Sequence, residues 1–421
     1  MLAEIISIGD ELTSGQRLDT NSQWLSTQLG ELGIRTMYHT TVADDLAANV
    51  AIFRAAIDRA DLIISTGGLG PTADDLTRQA VADAAGVELY LDDEALRQIE
   101  QLFSRRGRPM PERNRSQAFF PVGSRVIPNP EGTAPGIDLS IMRPGRSLCR
   151  IIALPGVPAE LKEMWRASVE PVIRSEISPG RVIRHRRIKC FGVGESDLEA
   201  MLPDLIRRGR EPQVGITVHQ ATITLRITAE GCSDEECQAC MAPTIATIHE
   251  CLGKLAFGVE DEELEHVVLR LLQERGESLA TAEWGTGGLM AEWLGEVATS
   301  APVFQGSFTV ANEAAVYNTL KLVLDLDEQA LQTITADAKS TTEKLAQAAK
   351  AQFGTSYGLA VGGFPASTVA GTEPPKVWLA LASDSGTLII AVGVAGHSAI
   401  IKSRTAKQAL NMLRLTLLKK S

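Results

Sequence analysis

Short apolar runs alternate with segments of helical spacing along the first 170 residues of the chain. The runs Glu4–Ile8, Thr36–Val42 and Ala60–Thr66 have the length and composition of strands. Asn21–Leu32 and Ala47–Ala60 place apolar residues on one face of a helix. Because strands and helices alternate, the pattern predicts a mainly parallel sheet with helices on its faces.

Further predicted elements complete this first domain, which we place at residues 1–170. They are helix Thr72–Ala85, strand Cys149–Leu154 and helix Ala159–Ala167. Residues 171–256 do not continue the regular alternation of strands and helices. They predict a small α+β domain, with strands Val182–Phe191 and Ala221–Ala229 and a helix Ser196–Arg207. Residues 257–421 alternate again and predict a second α/β domain.

Composition narrows the class of protein. The chain has 421 residues, 44% of them apolar, which is too many for a disordered chain. Its net charge of −11 makes duplex binding a poor expectation, whereas it suits a soluble metabolic enzyme. The N-terminus lacks a secretory pattern, no apolar run reaches membrane-spanning length, and six cysteines are too few for a disulfide scaffold. We therefore expect a cytoplasmic location without membrane or nucleic-acid partners.

Two local patterns leave a choice between a functional and a structural interpretation. A basic stripe on the strand Val182–Phe191 and just before it could contact nucleic acid, but no aromatic residue interleaves it, which favours a solvated strand face. The stripe consists of Arg181, Arg184, Arg186, Arg187 and Lys189. Cys237 and Cys240 are spaced like half a zinc site, with Cys232, Cys251 and His249 nearby. They lie in a predicted helix, where such spacing arises by chance.

A glycine-rich loop follows the third strand and precedes a helix. Gly67, Gly68 and Gly70 allow close backbone approach, and a helix N-terminus favours anions, so Ser65–Thr77 predicts a phosphate-binding loop. Asp74 and Asp75 follow this loop. Carboxylates and phosphates are both negatively charged, so carboxylates at a phosphate site indicate a divalent cation between the two. For Asp75 the alternative is a capping box with Thr72.

More loops are expected at the same end of the sheet. Gly9–Gly15 carries Asp10 and Glu11, and Asp19 and Asn21 follow it, although either of these two could cap the next helix. Gly132–Gly136 could pack its backbone against a ligand. Pro155–Pro158 leads into another helix N-terminus that is open to anions. The alternative for these last two loops is a tight turn.

These ordered segments resemble the CinA (competence/damage-inducible protein A) family over nearly the whole chain. The N-terminal part is similar to the three-layer, MoaB/MogA-like molybdopterin-binding fold, and Val42–Asp45 resembles the family's Val-x-Asp-Asp segment. Cys190–Glu199 looks like the family's KH-like linking domain, without a convincing RNA-binding Gly-x-x-Gly loop. The C-terminal third resembles a nicotinamide mononucleotide deamidase domain.

For the N-terminal domain, the resemblance implies metal-dependent hydrolysis of ADP-ribose to AMP and ribose 5-phosphate. A divalent Co, Mn or Mg ion would bind near Asp74 and Asp75, and Asp44 completes the implied catalytic set. A non-catalytic pterin-binding or nucleotide-binding protein and a scaffold remain open alternatives, and a homodimer is expected. The implied substrate-binding residues are Gly9, Asp10, Glu11, Asp19, Asn21, Gly67, Gly68, Gly70, Pro71, Thr72, Gly132, Thr133, Gly136 and Gly156.

The C-terminal third departs from its family. The hallmark Glu-Ser-Cys-Thr-Gly-Gly is replaced at Glu283–Gly288, where Trp284 takes the place of the serine nucleophile and Gly285 that of the cysteine. Val310 and Ala315 stand where the relatives have a tyrosine and a lysine. An indole cannot accept an acyl group, so we predict no deamidase activity. Features that persist are Thr286–Gly288, Asn312, Glu313 and Arg404, the last expected before the final helix, whereas Gly362–Ala366 replaces the family's Gly-x-Ala-Gly-Pro loop.

Overall fold

A computed structural model describes residues 1–177, 180, 182–202, 204–207, 209–297, 303–365, 375–394 and 397–419. The chain forms two compact units. The first contains Met1–Arg184 and Ala229–Cys240, and the second contains His185–Thr228 and Met241–Ser421. In the described part of the chain, no helix has the length and apolarity that crossing a membrane requires.

The first unit is built on a six-stranded sheet of order β2-β1-β3-β8-β7-β6. Strands β2, β1, β3 and β8 run parallel, and β7 and β6 are added antiparallel at one side. The elements are β1 Leu2–Ile8, α1 Asp10–Thr13, α2 Thr20–Glu31, β2 Arg35–Val42, α3 Leu46–Arg59, β3 Leu62–Thr66, α4 Thr77–Ala85, β4 Leu89–Leu91, α5 Asp93–Arg105, β5 Phe119–Pro121, β6 Arg125–Ile127, β7 Gly136–Ile141, β8 Cys149–Leu154, α6 Pro158–Met164 and α7 Glu170–Val172.

Helices cover both faces of this sheet. On β3, Ile63 packs into the cluster that contains Phe53 of α3, whereas Leu62 and Ile64 pack into the cluster that contains Leu25 of α2. Successive residues of a strand point to opposite faces, so a run that is apolar throughout reports burial on both sides. The predicted mainly parallel, three-layer α/β domain is thereby confirmed.

The strands between residues 182 and 259 form a second sheet, of order β10-β11-β9-β12. A third sheet, of order β14-β13-β15-β16-β17, carries the rest of the chain and combines parallel with antiparallel pairs. The elements are β9 Val182–Cys190, α8 Glu195–Ala200, β10 Gln213–His219, β11 Thr222–Gly231, α9 Asp234–Leu252, β12 Ala256–Val259, α10 Leu264–Arg275, β13 Leu279–Glu283, α11 Leu289–Val297, β14 Phe304–Thr309, α12 Glu313–Leu324, α13 Glu328–Thr335, α14 Ala338–Phe353, β15 Tyr357–Val361, β16 Lys376–Ser383, β17 Gly386–Gly393 and α15 Ser398–Leu417.

Two predicted helices are shorter than expected. The helix predicted at Ser196–Arg207 ends at Ala200, a few residues before a proline in the sequence at position 203, which lies outside the described residues. The helix predicted from Thr72 begins at Thr77. The reason for this second difference lies in the loop before it and is given with the site.

Carboxylates balance the basic stripe on β9. Arg184 lies 2.7 Å from Asp234, Arg186 3.2 Å from Glu260, Arg187 2.9 Å from Asp261 and Lys189 3.1 Å from Glu263. Arg181 lies outside the described residues. A face whose charges are already paired loses much of its attraction for phosphate.

Candidate functional site

A cleft of about 480 Å³ lies at the carboxyl ends of the parallel strands of the first unit. The loops that follow β1, β2, β3 and β8 all reach it, as the rule for open parallel sheets requires. Predicted residues that line the cleft are Gly9, Glu11, Asp44, Gly67, Gly68, Gly70, Pro71, Asp74, Asp75, Thr133 and Gly156.

Glycines form one wall of the cleft because the backbone needs them there. Gly67 and Gly68 have φ values of 104° and 63°, which side chains rarely adopt. A Cβ atom on Gly67 would stand 2.2 Å from the carbonyl oxygen of Ile8, and one on Gly68 would stand 2.3 Å from Thr77 Oγ1. The loop after β3 therefore packs directly onto the end of β1 and presents backbone to the cleft.

Asp75 organises that loop. One of its carboxylate oxygens accepts the Gly70 N–H at 2.7 Å, and the other accepts the Thr72 N–H at 2.8 Å and the Thr72 hydroxyl. These bonds close a non-helical turn. The predicted helix start at Thr72, which would place Asp74 and Asp75 in the first helical turn with Thr72 as the N-cap, is therefore wrong. Helix α4 starts at Thr77, whose hydroxyl donates to the Gly67 carbonyl oxygen at 2.9 Å.

Carboxylates also line the cleft, and we call Glu11, Asp44 and Asp74 its acidic wall. Burial raises the pKa of Asp44, and the carboxylates of Asp10, Asp74 and Glu11 raise it further, against a lowering hydrogen bond from the Asp10 backbone. Asp74 is fully exposed, and a hydrogen bond from Thr72 lowers its pKa. Carboxylates this close favour a positive charge among them.

Some predicted site residues hold the loops instead of lining the cleft. The Asp10 N–H donates to Asp44 Oδ2 at 2.9 Å, and Asp10 Oδ1 accepts the Asp44 N–H at 3.1 Å. A Cβ on Gly132 would stand 2.2 Å from Glu160 Oε2, and one on Gly136 would stand 2.6 Å from the Ala153 carbonyl oxygen. Asp10, Gly132 and Gly136 therefore set the shape of the wall.

Asp19 and Asn21 line a smaller neighbouring cleft of about 60 Å³. Asp19 caps α2, accepting the Ser22 N–H at 2.9 Å and the Ser7 hydroxyl at 2.6 Å. Burial raises its pKa, but the hydrogen bonds from Ser22 and Ser7 outweigh burial and the net shift is downward. Asn21 donates to Thr66 Oγ1 at 3.0 Å and to the Gly156 carbonyl oxygen at 2.9 Å, which ties the ends of β3 and β8 together.

Two arginines next to the cleft were missing from the sequence-based set. Arg17 is the one cationic side chain among the described residues that line the cleft. Arg78 is buried behind the glycine loop and donates to the carbonyl oxygens of Leu69, at 3.0 Å, and Pro135, at 2.8 Å. Burial lowers the pKa of Arg78 to about 10, so it stays protonated at neutral pH. Its position on the apolar face of α4, one turn before Val81, was the available signal.

The structure gives the cysteines no common centre. The Cys237 thiol is buried and contacts the carbonyl oxygens of Val182 and Ala229, at 3.7 and 3.6 Å, whereas Cys232 and Cys251 are exposed. Across the described residues, no three His, Cys, Asp or Glu side chains already stand as a metal-ligating group.

The positions that replace the deamidase hallmark lie at the end of β13. Trp284 and Gly285 donate their N–H groups to the carbonyl oxygens of Val361 and Gly362, both at 3.1 Å. A Cβ on Gly363 would stand 2.9 Å from the Trp284 ring, and one on Gly285 would stand 3.0 Å from the Phe364 ring. Two aromatic rings therefore occupy the space beside this strand end.

The persisting features of this region have structural partners. Buried Glu283 accepts the Thr286 hydroxyl at 2.6 Å and the N–H groups of Met290 and Ala291 at 3.0 and 2.8 Å. The N–H of Ala315 donates to Asn312 Oδ1 at 2.9 Å, which caps α12.

The structure also places Val310, Glu313 and Arg404. The Val310 N–H donates to the Glu283 carbonyl oxygen at 2.9 Å, and Glu313 is exposed. Arg404 lies inside α15 and not before it, because that helix already begins at Ser398. Ala366 lies outside the described residues.

Three family models match successive parts of the chain. Residues 4–175 match a "Probable molybdopterin binding domain". Residues 185–258 match the "Damage-inducible protein CinA KH domain", and residues 261–417 match the "CinA C-terminal domain".

Relatives match over the full length. A competence-damage inducible protein of Symbiobacterium thermophilum is 37% identical over 432 residues, covering 99% of both chains. Another, of Caldicellulosiruptor bescii, is 38% identical over 418 residues, covering 98% of both chains. A solved structure of CinA, of unknown function, from Thermoplasma acidophilum is 32% identical; the match covers 41% of this chain and 99% of that one, with a TM-score of 0.37.

Proposed function

The chain belongs to the CinA family, and from this premise we propose that the cleft of its first unit hydrolyses the pyrophosphate bond of ADP-ribose or a related nucleotide. The observation that carries the proposal is the pairing of two unlike walls in one cleft. Backbone of the glycine loop and the carboxylates of Glu11, Asp44 and Asp74 line the same cleft. A phosphate needs the first wall, and a divalent cation needs the second.

The glycine wall would bind the pyrophosphate. Gly67, Gly68 and Gly70 line the cleft, and phosphate oxygens would approach their backbone there. Arg17 would add a positive charge at the rim, and Gly156 would leave room at the end of β8. Asp75 acts as a positioning residue, because both of its oxygens already accept hydrogen bonds from the loop.

The donor set of the acidic wall fits a divalent Mg, Mn or Co ion. Carboxylate oxygens are the ligands that such hard cations prefer. Burial is the largest cause of the raised pKa of Asp44, and the nearby carboxylates of Asp10, Asp74 and Glu11 add to it. Asp44 and Asp74 would hold the ion together with phosphate oxygens of the substrate, because the described residues contain no ready-made group of three carboxylate ligands. When bound, it would neutralise charge on the pyrophosphate and lower the pKa of a water molecule.

The reaction would be an in-line displacement at phosphorus. The oxygen of a water molecule bonds to one phosphorus, the bridging P–O bond breaks, and AMP and ribose 5-phosphate leave. A carboxylate of the acidic wall takes the proton of the water. The loops hold both phosphates in place while this happens, which is where most of the rate enhancement in such displacements arises.

The test is AMP release from ADP-ribose by the full chain, with and without added Mg, Mn or Co. We expect metal-dependent release that falls by about 100-fold or more in Asp44→Asn and Asp74→Asn. Asp58→Asn, on the exposed side of α3, is the matched control and keeps full activity. If no metal supports release from the folded wild-type protein, the proposal is wrong.

One observation favours a second candidate, the binding of a pterin phosphate without turnover. The family model that matches residues 4–175 is described as a molybdopterin-binding domain. The same glycine wall would hold the pterin's phosphate. Saturable binding of a pterin phosphate, together with no AMP release from ADP-ribose at any metal concentration, would favour this candidate.

For the second unit we propose that deamidase activity is absent. Trp284 offers no nucleophile, and the aromatic rings of Trp284 and Phe364 fill the space around Gly285 and Gly363. Incubation with nicotinamide mononucleotide should release no ammonia above a heat-inactivated sample.

A further inference from the structure

The second unit contains a further cleft, of about 600 Å³, which neither Trp284 nor Gly285 lines. Strand β17, helix α15 and the loop Phe191–Gly194 surround it. Its volume lies in the range of small-molecule sites.

One wall of this cleft is apolar and regular. Leu388, Ile390 and Val392 alternate along β17 and therefore share one face of the strand. Leu388 is 47% exposed, although it belongs to a strand of the unit's main sheet. A row of branched side chains next to open space suits a flat ring.

The facing wall offers hydrogen bonds of both kinds. Gln408 and Asn411 stand one turn apart on α15 and both line the cleft. The Oε1 atom of Gln408 is buried and accepts no hydrogen bond from any described residue. Asn411 Oδ1 accepts from Arg414 Nε at 2.9 Å, which turns the amide so that its NH₂ group is left for another acceptor. A ligand with a neighbouring donor and acceptor on one ring edge would satisfy both.

The charge at the cleft favours an anion. Arg404 lines it from α15, one turn before Gln408, and Lys419 lines it from the turn that follows the end of that helix at Leu417. Asp197 is the one carboxylate among the described lining residues. Cations therefore outnumber anions here, although the chain as a whole carries a net charge of −11.

We propose that this cleft binds an adenine nucleoside monophosphate. The ring would lie against Leu388, Ile390 and Val392, with its amino edge towards Gln408, since a carboxamide pairs with the donor and acceptor of adenine. The phosphate would lie near Arg404, one turn of α15 before Gln408. This inference is independent of the proposed hydrolysis, because the cleft belongs to another unit and shares no residue with the first one.

The test is equilibrium dialysis of AMP against the full chain without added metal. In Val392→Trp an indole fills the cleft, and one equivalent of bound AMP per chain should be lost. Ala391→Trp is the matched control, because Ala391 is exposed and points to the other face of β17; its affinity should stay within about two-fold. Unfolding curves of both variants check that the fold is kept.

Variants that keep the cleft open test the contacts. Gln408→Leu should weaken AMP binding by about ten-fold, and adenosine should bind the wild type more weakly than AMP does. Asp58→Asn, on the exposed side of α3 in the first unit, should leave the measured affinity unchanged.

Two results would overturn the inference: no AMP binding by the wild type at millimolar concentration, or equal binding by Val392→Trp. Hydrolysis of ADP-ribose by the first unit could succeed or fail in either case, so the two proposals fail separately.

Discussion

The guanidinium of Arg78 donates a hydrogen bond of 2.8 Å to the carbonyl oxygen of Pro135, and this bond joins the glycine loop after β3 to the loop Gly132–Gly136. A second bond, to the Leu69 carbonyl oxygen at 3.0 Å, anchors the same side chain in the glycine loop. Phe120 lies under the guanidinium, with its ring centroid 5.6 Å away. One buried cation thus fixes two walls of the cleft against each other.

Arg78→Met should therefore lower both stability and activity. Methionine keeps the packing on Phe120 but leaves the Pro135 carbonyl oxygen without its donor, at a cost of about 1–3 kcal/mol in the free energy of unfolding. Urea unfolding followed by circular dichroism measures this cost. Arg97→Met, on the exposed side of α5, is the control and should change stability by about 0.5 kcal/mol at most. Equal stability of the two variants would contradict the anchoring role of Arg78.

Asp74 and Asp75 should respond differently to the metal concentration. Asp74→Asn removes an exposed carboxylate from the acidic wall, so more metal is needed for half-maximal AMP release. Asp75→Ala removes the acceptor of the Gly70 and Thr72 N–H groups, so the loop loosens and KM for ADP-ribose rises at every metal concentration. Metal titrations at several substrate concentrations separate the two effects. Identical profiles would show that the adjacent carboxylates share one role.

Protonation of Glu263 should lower the stability of the second unit as the pH falls. Its carboxylate contacts Lys407 Nζ at 2.9 Å, Lys189 Nζ at 3.1 Å and the Thr222 hydroxyl at 2.9 Å. Burial raises the pKa of Glu263, but the bonds from Lys407, Thr222 and Lys189 outweigh burial and hold it below its usual value. A carboxylate with a lower pKa in the folded state stabilises the fold above its unfolded pKa and loses that effect as the pH falls through the folded pKa.

Glu263→Gln should accordingly destabilise the protein at pH 7 and flatten the acid limb of its stability profile. The buried ammonium of Lys407 loses its charged partner, a change that costs about 3–5 kcal/mol for a fully buried pair and less here, where Glu263 is partly exposed. Urea unfolding at several pH values, followed by the fluorescence of Trp293 near Lys407, measures it.

Glu265 should behave in the opposite way and serves as the comparison. Burial raises its pKa, and the neighbouring Glu263 raises it further, while its Oε2 atom has no hydrogen-bond partner among the described residues. A raised carboxyl pKa contributes stability at low pH that is lost as the pH rises through the folded pKa. Glu265→Gln should therefore stabilise the protein at pH 7. Destabilisation by this change would mean that the ionised carboxylate has a partner.

Restoring the serine nucleophile should not restore deamidase chemistry. Trp284→Ser replaces the indole, but Val310 and Ala315 still stand where the family resemblance implies a tyrosine and a lysine. The variant should release no ammonia from nicotinamide mononucleotide. Truncating a fully buried aromatic side chain costs roughly 3–5 kcal/mol in the free energy of unfolding. The loss in Trp284→Ser should be smaller, because Trp284 is only half-buried. Ammonia release by Trp284→Ser, absent from Trp284→Ala, would contradict this prediction.

The sequence by itself determined the three-layer architecture and the end of the sheet where the loops gather. Apolar runs such as Leu62–Thr66 are local signals, and an alternation of strands and helices admits few topologies. The role of the glycine loop could also be predicted, because a positive φ or a close backbone approach requires glycine and is therefore visible in the sequence. The motifs quoted for the CinA family identified it correctly for the same reason.

Only the tertiary structure decided what the polar residues do. The sequence allowed Asp75 to be a cap or a ligand, and contacts with Gly70 and Thr72 made it the organiser of a turn. Arg78 and Pro135 lie 57 residues apart, and the cleft of the second unit joins Phe191 to α15, so no local pattern could reveal either arrangement. A hydrogen bond depends on where the chain brings a partner, whereas hydrophobic periodicity depends only on near neighbours.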